Sequence, residues 1–181
     1  MIKLISDFLS NSFCKELITY YEKNEHIVDE SVKFFEVENY GTKVKIEGEL
    51  GDKIEELSKP AAASYLAPYD MDCKFEYKAS LINCIENSAT PPHYDKQLIR
   101  KDDHFSIRPF VFLVYLNDDF EGGDLLFPAQ AKLISPKTGT AIIFPANFYY
   151  PHSTLPTRGV RYGLRISYRN TGGSIFNSIG T

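Results

Sequence analysis

From about Phe75 onward the chain is cut into short apolar or alternating runs, separated by Gly, Pro, Asn and Asp. No other feature limits the fold as much. The runs are Phe75 to Ile85, Ile107 to Leu116, Leu125 to Phe127, Ala131 to Ile134, Thr140 to Phe144, Phe148 to Tyr150, and Arg161 to Tyr168. Each has strand length, and the breakers between them end pairing before a long helix could form. Many short strands at this spacing predict a sandwich or barrel, with a double-sheet jelly roll favoured. The run Ile107 to Leu116 is apolar on both faces and is expected at the centre of a sheet. Phe and Tyr together number 25 (13 and 12) against no Trp, a supply that suits strands and a cleft with stacking walls.

The first third has another texture. Ser10-Asn11-Ser12 can cap a helix running to about Lys23, with Phe13, Leu17, Ile18 and Tyr21 on one stripe. A second helix is expected from near Gly51-Asp52, carrying Ile54, Leu57 and Ala61 to Ala63, with Pro60 kinking or splitting it. Between them, Val32 to Ile46 reads as a strand pair turning at Gly41. At 181 residues the chain suits one domain rather than two. The expected class is α+β, mainly β: a helical support region over 1–70, covering one outer sheet face, and a jelly-roll core over 75–169.

A net charge of −4 gives no sign of the basic stripe that nucleic-acid binders show, so a nucleic-acid partner is not expected. Three cysteines, Cys14, Cys73 and Cys84, are odd in number and lack metal-site spacing. They fit a reduced, cytoplasmic setting. Asp7 interrupts the N-terminal apolar residues, which argues against a secretory leader, and no apolar run reaches membrane-spanning length.

Two histidines and a carboxylate stand out. His93 and Asp95 are one residue apart after Pro91-Pro92. On an extended segment they point to the same side, and the prolines disfavour helix there. His152 follows far downstream. Two imidazoles and one carboxylate can occupy one face of an octahedral metal and leave the other open, the ligand set of non-haem Fe(II) oxygenases. The tripeptide alone is as readily a surface histidine and a turn aspartate. His26 and His104 have no second ligand at useful spacing, and the charged stretch Lys96 to His104 reads either as a solvated connection or as a loop over the site.

The context of the triad is more specific. Pro92-His93-Tyr94-Asp95, Tyr115-Leu116-Asn117, Glu121-Gly122-Gly123-Asp124-Leu125, Pro136 to Ala141, Phe144-Pro145 and the run His152 to Tyr162 occur in one order. In that order they resemble the 2-oxoglutarate and Fe(II)-dependent dioxygenases, in particular the prolyl 4-hydroxylase-like branch. The resemblance covers about half of the chain. It implies a double-stranded β-helix (jelly roll) with N-terminal supporting helices.

The resemblance also implies roles. His93, Asp95 and His152 would be the catalytic iron ligands. Arg161 would grip the distal carboxylate of 2-oxoglutarate, a match for the guanidinium fork, and Tyr115 would donate its hydroxyl to the same group. Arg165, on the same strand face, is the alternative anchor. Tyr94 would border the substrate groove. Cofactors would be Fe(II), 2-oxoglutarate and O2, with ascorbate as an optional reductant. Related halogenating enzymes lack the carboxylate ligand, so Asp95 argues for hydroxylation. The implied reaction hydroxylates an unactivated C–H bond, foremost a prolyl residue in a protein or peptide, releasing succinate and CO2. Alternatives are another amino-acid side chain, a small molecule, a nucleobase, or a ligand-binding jelly roll without turnover. One departure concerns the strand before His93. Relatives often place a tyrosine there, and here Asn83 is the candidate replacement donor.

Overall fold

A computed structural model describes residues 1–24, 43–69, 74–95, 98–101 and 104–172. The helices are α1 (Asn11–Asn24) and α2 (Gly48–Leu66). The strands are β1 (Lys3–Ile5), β2 (Val44–Ile46), β3 (Lys74–Glu86), β4 (Thr90–His93), β5 (Leu98–Lys101), β6 (His104–Ile107), β7 (Phe110–Tyr115), β8 (Glu121–Gly122), β9 (Leu125–Phe127), β10 (Lys132–Ile134), β11 (Ala141–Pro145), β12 (His152–Thr154), β13 (Thr157–Arg158) and β14 (Val160–Gly172). The major sheet has the order β1-β11-β7-β14-β3-β2, with the β5–β6 hairpin joined to it through β14. A four-stranded sheet, β10-β9-β12-β4, faces it. This is the expected jelly roll.

The period of 2 along the central strands sorts side chains into two cores. On β7, Phe110, Phe112 and Val114 pack with the helices through Phe13, Leu17 and Ile54. Val111 and Tyr115 turn the other way and meet Phe127, Ile134 and Phe144 between the sheets. On β14, Leu164, Ile166 and Tyr168 join the helix-side core, which leaves Arg161, Gly163 and Arg165 on the inner face. The helices thus cover one outer face, as their stripes predict, and the inner face is left for polar chemistry.

Helix α1 starts where the sequence places it, because the Ser10 hydroxyl accepts the Phe13 N–H at 3.2 Å. Helix α2 begins three residues earlier than expected and runs through Pro60 without a break. Pro60 is exposed, so water can satisfy the carbonyl left without a donor one turn back. Burial of Ile54, Ala62 and Tyr65 holds the helix to the sheet, with a 2.7 Å hydrogen bond between the Ser58 and Tyr168 hydroxyls.

Four other expectations change or fall partly outside the described residues. The strand pair over Val32 to Ile46 lies outside the described residues except at its end, where Val44–Ile46 pairs antiparallel with β3. The run from Ile107 to Leu116 is two strands, split at Arg108-Pro109, since proline has no N–H to give a ladder. Of the stretch Lys96 to His104, the described residues Leu98–Lys101 and His104 belong to the β5–β6 hairpin. Phe148 to Tyr150 is not a strand but a turn. Asn147 closes it: its side-chain Oδ1 accepts the Tyr149 N–H at 3.0 Å, and its carbonyl accepts the Tyr150 N–H at 3.1 Å. The side-chain acceptor overrides the strand preference of three aromatics.

Candidate metal and co-substrate site

The four-stranded sheet brings the two histidines together. In the antiparallel β12–β4 pair, His152 lies opposite His93, and the rings stand 4.4 Å apart. Asp95 follows β4 by two residues, and one ligand atom from each of His93, Asp95 and His152 lies within 4.8 Å of the others. Each imidazole is oriented by backbone. His93 Nδ1 is 2.8 Å from the Pro91 carbonyl, and His152 Nδ1 is 3.1 Å from the Tyr150 carbonyl. A carbonyl only accepts, so both Nδ1 atoms carry the proton and both Nε2 lone pairs are left for a metal. His152 is further fixed by Phe127 and Phe144, with ring centroids 5.5 Å and 4.9 Å away. Burial, then the neighbouring His93, lowers the pKa of His152, favouring the neutral ligand form.

The Asp95 carboxylate is divided between two tasks. Its Oδ1 accepts hydrogen bonds from Nη2 of Arg108 at 2.8 Å and Nη2 of Arg165 at 2.9 Å. Its Oδ2 lies 3.5 Å from His152 Nε2. With Oδ1 held by two guanidinium groups, Oδ2 is the oxygen presented beside the imidazoles. Lys43 adds a third cation nearby. Its pKa is pushed down to about 8, by burial first and then by Arg165, with Asp95 opposing.

The candidate co-substrate residues Arg161 and Tyr115 lie on the major sheet. Arg161 is buried at 8% exposure and its Nη1 donates to the Gly123 carbonyl at 3.3 Å. Its guanidinium carbon stands 5.7 Å from the centre of the Tyr115 ring. Gly123 adopts φ +72°, and a Cβ there would come within 3.0 Å of Phe120 and Thr157 and 3.5 Å of Arg161. Glycine therefore lets Arg161 reach inward, and the Gly122-Gly123 pair has a task beyond the turn. Burial raises the Tyr115 pKa to about 12, so its hydroxyl acts as a neutral donor.

Between the two ends lies one residue without a side chain. Gly163 pairs with Asn83 on β3 and with Tyr115 on β7, and cross-strand neighbours share a face. Asn83, Gly163 and Tyr115 thus form one row on the inner face, and a Cβ on Gly163 would sit 3.3 Å from Asn83 Oδ1. Gly163 is flanked on the same strand face by Arg161 two residues before and Arg165 two residues after. At about 3.3 Å per residue, these arginines are roughly 13 Å apart along the strand, room for a short dicarboxylate between an anchor and a metal. The two imidazoles and the carboxylate suit a metal such as Fe(II), and a buried guanidinium suits a carboxylate. Arg165 is paired with Asp95, which separates the two candidate anchors and makes Arg161 the candidate for a carboxylate.

Tyr94 is 52% exposed, beside rather than inside the ligand cluster. Sequence reasoning did not foresee Arg108, Gly163 or the Phe127–Phe144 support. An arginine beside a proline inside an apolar run was the available signal for Arg108.

Residues 80–169, about half of the chain, match the 2OG-Fe(II) oxygenase superfamily. Over 73 residues the chain is 34% identical to prolyl 3-hydroxylase 3 of Homo sapiens, a match covering 37% of this chain and 10% of that protein. The fold superposes on the viral collagen prolyl hydroxylase of Paramecium bursaria Chlorella virus-1, solved with 2-oxoglutarate, at a TM-score of 0.71 and 20% identity, covering 94% and 96% of the two chains. It matches a Pseudomonas putida prolyl-4-hydroxylase at 0.70 and 18% identity, covering 94% and 93%. The chain belongs to the 2-oxoglutarate/Fe(II) oxygenase superfamily. Its fold is the one these prolyl hydroxylases share.

Proposed function

We propose that this protein is a 2-oxoglutarate- and Fe(II)-dependent dioxygenase that hydroxylates a prolyl residue in a peptide or protein. One observation carries the reading. The His93–Asp95–His152 cluster and the buried Arg161 share the inner face with the row Asn83–Gly163–Tyr115 between them. Bound together, Fe(II) and 2-oxoglutarate activate O2 to oxidise an unactivated C–H bond, with release of succinate and CO2. His93 and His152 would hold the metal through Nε2 and Asp95 through Oδ2. Arg161 would pair with the distal carboxylate while the Tyr115 hydroxyl donates to it. The Arg108 and Arg165 guanidiniums keep Asp95 Oδ1 occupied. The apolar wall of Phe127 and Phe144 excludes water behind His152. Tyr94 would meet the substrate at the mouth.

The prolyl substrate is supported by the names of the relatives and by the exposed mouth of the site. No helix among the described residues is long and apolar enough to cross a membrane. The odd cysteine count supports a cytoplasmic setting.

The test is succinate release from Fe(II)-loaded protein, together with mass spectrometry of proline-containing peptides. The expected result is 2-oxoglutarate-dependent gain of one oxygen atom on proline. Failure to bind 2-oxoglutarate at all would remove the oxygenase reading. Succinate formation with oxygen delivered only to other side chains would remove the prolyl one.

A further inference from the structure

The turn that replaces the expected strand at Phe148 to Tyr150 leaves two large rings in water at the mouth of the site. Phe148 is 62% and Tyr149 65% exposed, and the rings lie 4.1 Å apart at 34° to one another. Single exposed aromatics are ordinary on protein surfaces. This pair differs in three respects.

The first is place. In the four-stranded sheet, His152 is opposite His93, Ser153 is opposite Leu126, and Phe127 is opposite Lys132. The connections leaving β4, entering β12 and leaving β9 therefore emerge at the end that carries the ligand cluster. They hold Tyr94, the Asn147–Tyr150 turn, and Gln130. Phe148 is four residues from His152, so the two Cα atoms are at most about 14 Å apart.

The second is rigidity. Besides its two internal hydrogen bonds, the turn is clamped from the next connection by Gln130, whose Nε2 donates to the Tyr149 carbonyl at 2.7 Å. The adjacent Tyr150 carbonyl orients His152, so the pad is built into the scaffold that positions a ligand residue.

The third is that a peptide must cross this rim. A chain delivering one side chain to the metal cluster leaves it in both directions over the mouth. At about 3.1 Å per residue in polyproline II form, residues two to four from the target lie roughly 6–12 Å away, inside the roughly 14 Å limit on the Phe148–His152 separation. Proline rings and extended apolar chain pack on aromatic faces at low ordering cost.

We propose that the Phe148–Tyr149 pad, with Tyr94, is the docking surface for the chain flanking the target residue, and that it selects extended, proline-bearing peptide. This rests on the prolyl-peptide reading and names the side chains that recognise the peptide beyond the reacting residue. Neutral aromatic faces favour apolar or proline neighbours over strongly charged ones.

The experiment compares wild type with Phe148→Ala, Tyr149→Ala, the double variant and Tyr149→Phe. The probes are a peptide of several Pro-Pro-Gly repeats and a blocked Gly-Pro-Gly tripeptide too short to span the rim. Binding is read on protein loaded with Mn(II) and 2-oxoglutarate, and turnover on the Fe(II) form. The double variant is expected to weaken binding of the long peptide about tenfold or more, a typical loss for truncated aromatic anchors. Its kcat, 2-oxoglutarate requirement, metal affinity and response to the tripeptide stay at wild-type values. Tyr149→Phe keeps wild-type binding, because the ring face is the contact. Unchanged binding of the long peptide by the double variant overturns the proposal, as does an equal loss for long and short probes. So does a wild type that binds no repeat peptide. If wild type binds it, the double variant does not, and neither hydroxylates it, the docking surface stands and the prolyl-hydroxylase reading fails.

Discussion

Arg161 and Arg165 sit on one strand, four residues apart, with side chains on one face, and they do opposite things. Arg161 is buried against Gly123 and Tyr115, with a neutral aromatic hydroxyl for company. Arg165 is spent on Asp95, sharing one carboxylate oxygen with Arg108. At one end of β14 a buried guanidinium lies beside a backbone carbonyl and an aromatic ring, and it is the one proposed to take the co-substrate carboxylate. At the other it is already matched to a fixed one. Residue type and strand phase do not distinguish them. What lies across the sheet does, and Gly163 sits midway with no side chain to join the two ends.

The comparison breaks most completely if its metal end is misassigned. His152→Ala removes a ligand whose Nε2 faces the cluster, and the expected outcome is loss of Fe(II)-dependent succinate formation. The circular dichroism spectrum and cooperative melting should persist, because the ring is one of several on that inner wall. Full activity would remove the triad. The next largest effect separates the arginines. Arg161→Ala deletes a charge-assisted contact of about 1.5–3 kcal/mol, so the 2-oxoglutarate requirement should rise roughly 10- to 150-fold. Metal affinity should hold. For Arg165→Ala the loss should fall on kcat, as Asp95 loses one of its two clamps, with the 2-oxoglutarate KM within about threefold of wild type, the scale of an unpaired distant change. Titrating 2-oxoglutarate against both variants decides the matter, and the reverse ranking would exchange the two roles.

How much of this was readable in advance follows from the same contrast. Short apolar or alternating runs between breakers were enough for the strands β3, β7, β9, β11 and β14, and for the jelly roll they build. That His93, Asp95 and His152 come together was expected from their residue chemistry and from the resemblance, and the structure does cluster them. The family spacing ranked Arg161 above Arg165 as the anchor, but the pairing of Arg165 with Asp95 was not legible, since the two are far apart in sequence. The turn at Asn147 was missed because three consecutive aromatics outweigh one asparagine in any propensity sum, while one well-placed side-chain acceptor decides the local backbone. Gly163 was invisible, because nothing local marks a glycine inside a strand as a space rather than a weakness.

That space gives the next test. Gly163→Val would put three carbons into the row between Asn83 and Tyr115, where even a Cβ comes within 3.3 Å of Asn83 Oδ1. Overpacking of this kind costs about 1–3 kcal/mol. Affinity for 2-oxoglutarate, read calorimetrically on Mn(II)-loaded protein, should fall on the order of tenfold. Arg161 and the ligand cluster are untouched, so metal affinity should be preserved. Equal binding of 2-oxoglutarate by variant and wild type would mean that the two ends of β14 are not bridged across Gly163.

The smallest effect concerns Asn83, across from Gly163. Asn83 is the proposed replacement for the tyrosine that the resemblance leads one to expect on this strand, and its amide faces Gly163 rather than the helix-side core. Asparagine is shorter than tyrosine, yet its NH2 can donate to a ligand oxygen near Gly163. One neutral hydrogen bond contributes about 1 kcal/mol net, so Asn83→Ala should weaken 2-oxoglutarate binding roughly fivefold. Asn83→Leu should weaken it more, because it removes the donor and adds an apolar branch. Asn83→Tyr divides the two explanations of the small residue. If the inner face has adapted to asparagine, the larger ring collides with the ligand and affinity falls. If asparagine is a weak stand-in, the phenol restores a longer donor and affinity rises. Asn83 Oδ1 already lies 3.3 Å from where a Gly163 Cβ would sit, and that crowding favours the fall.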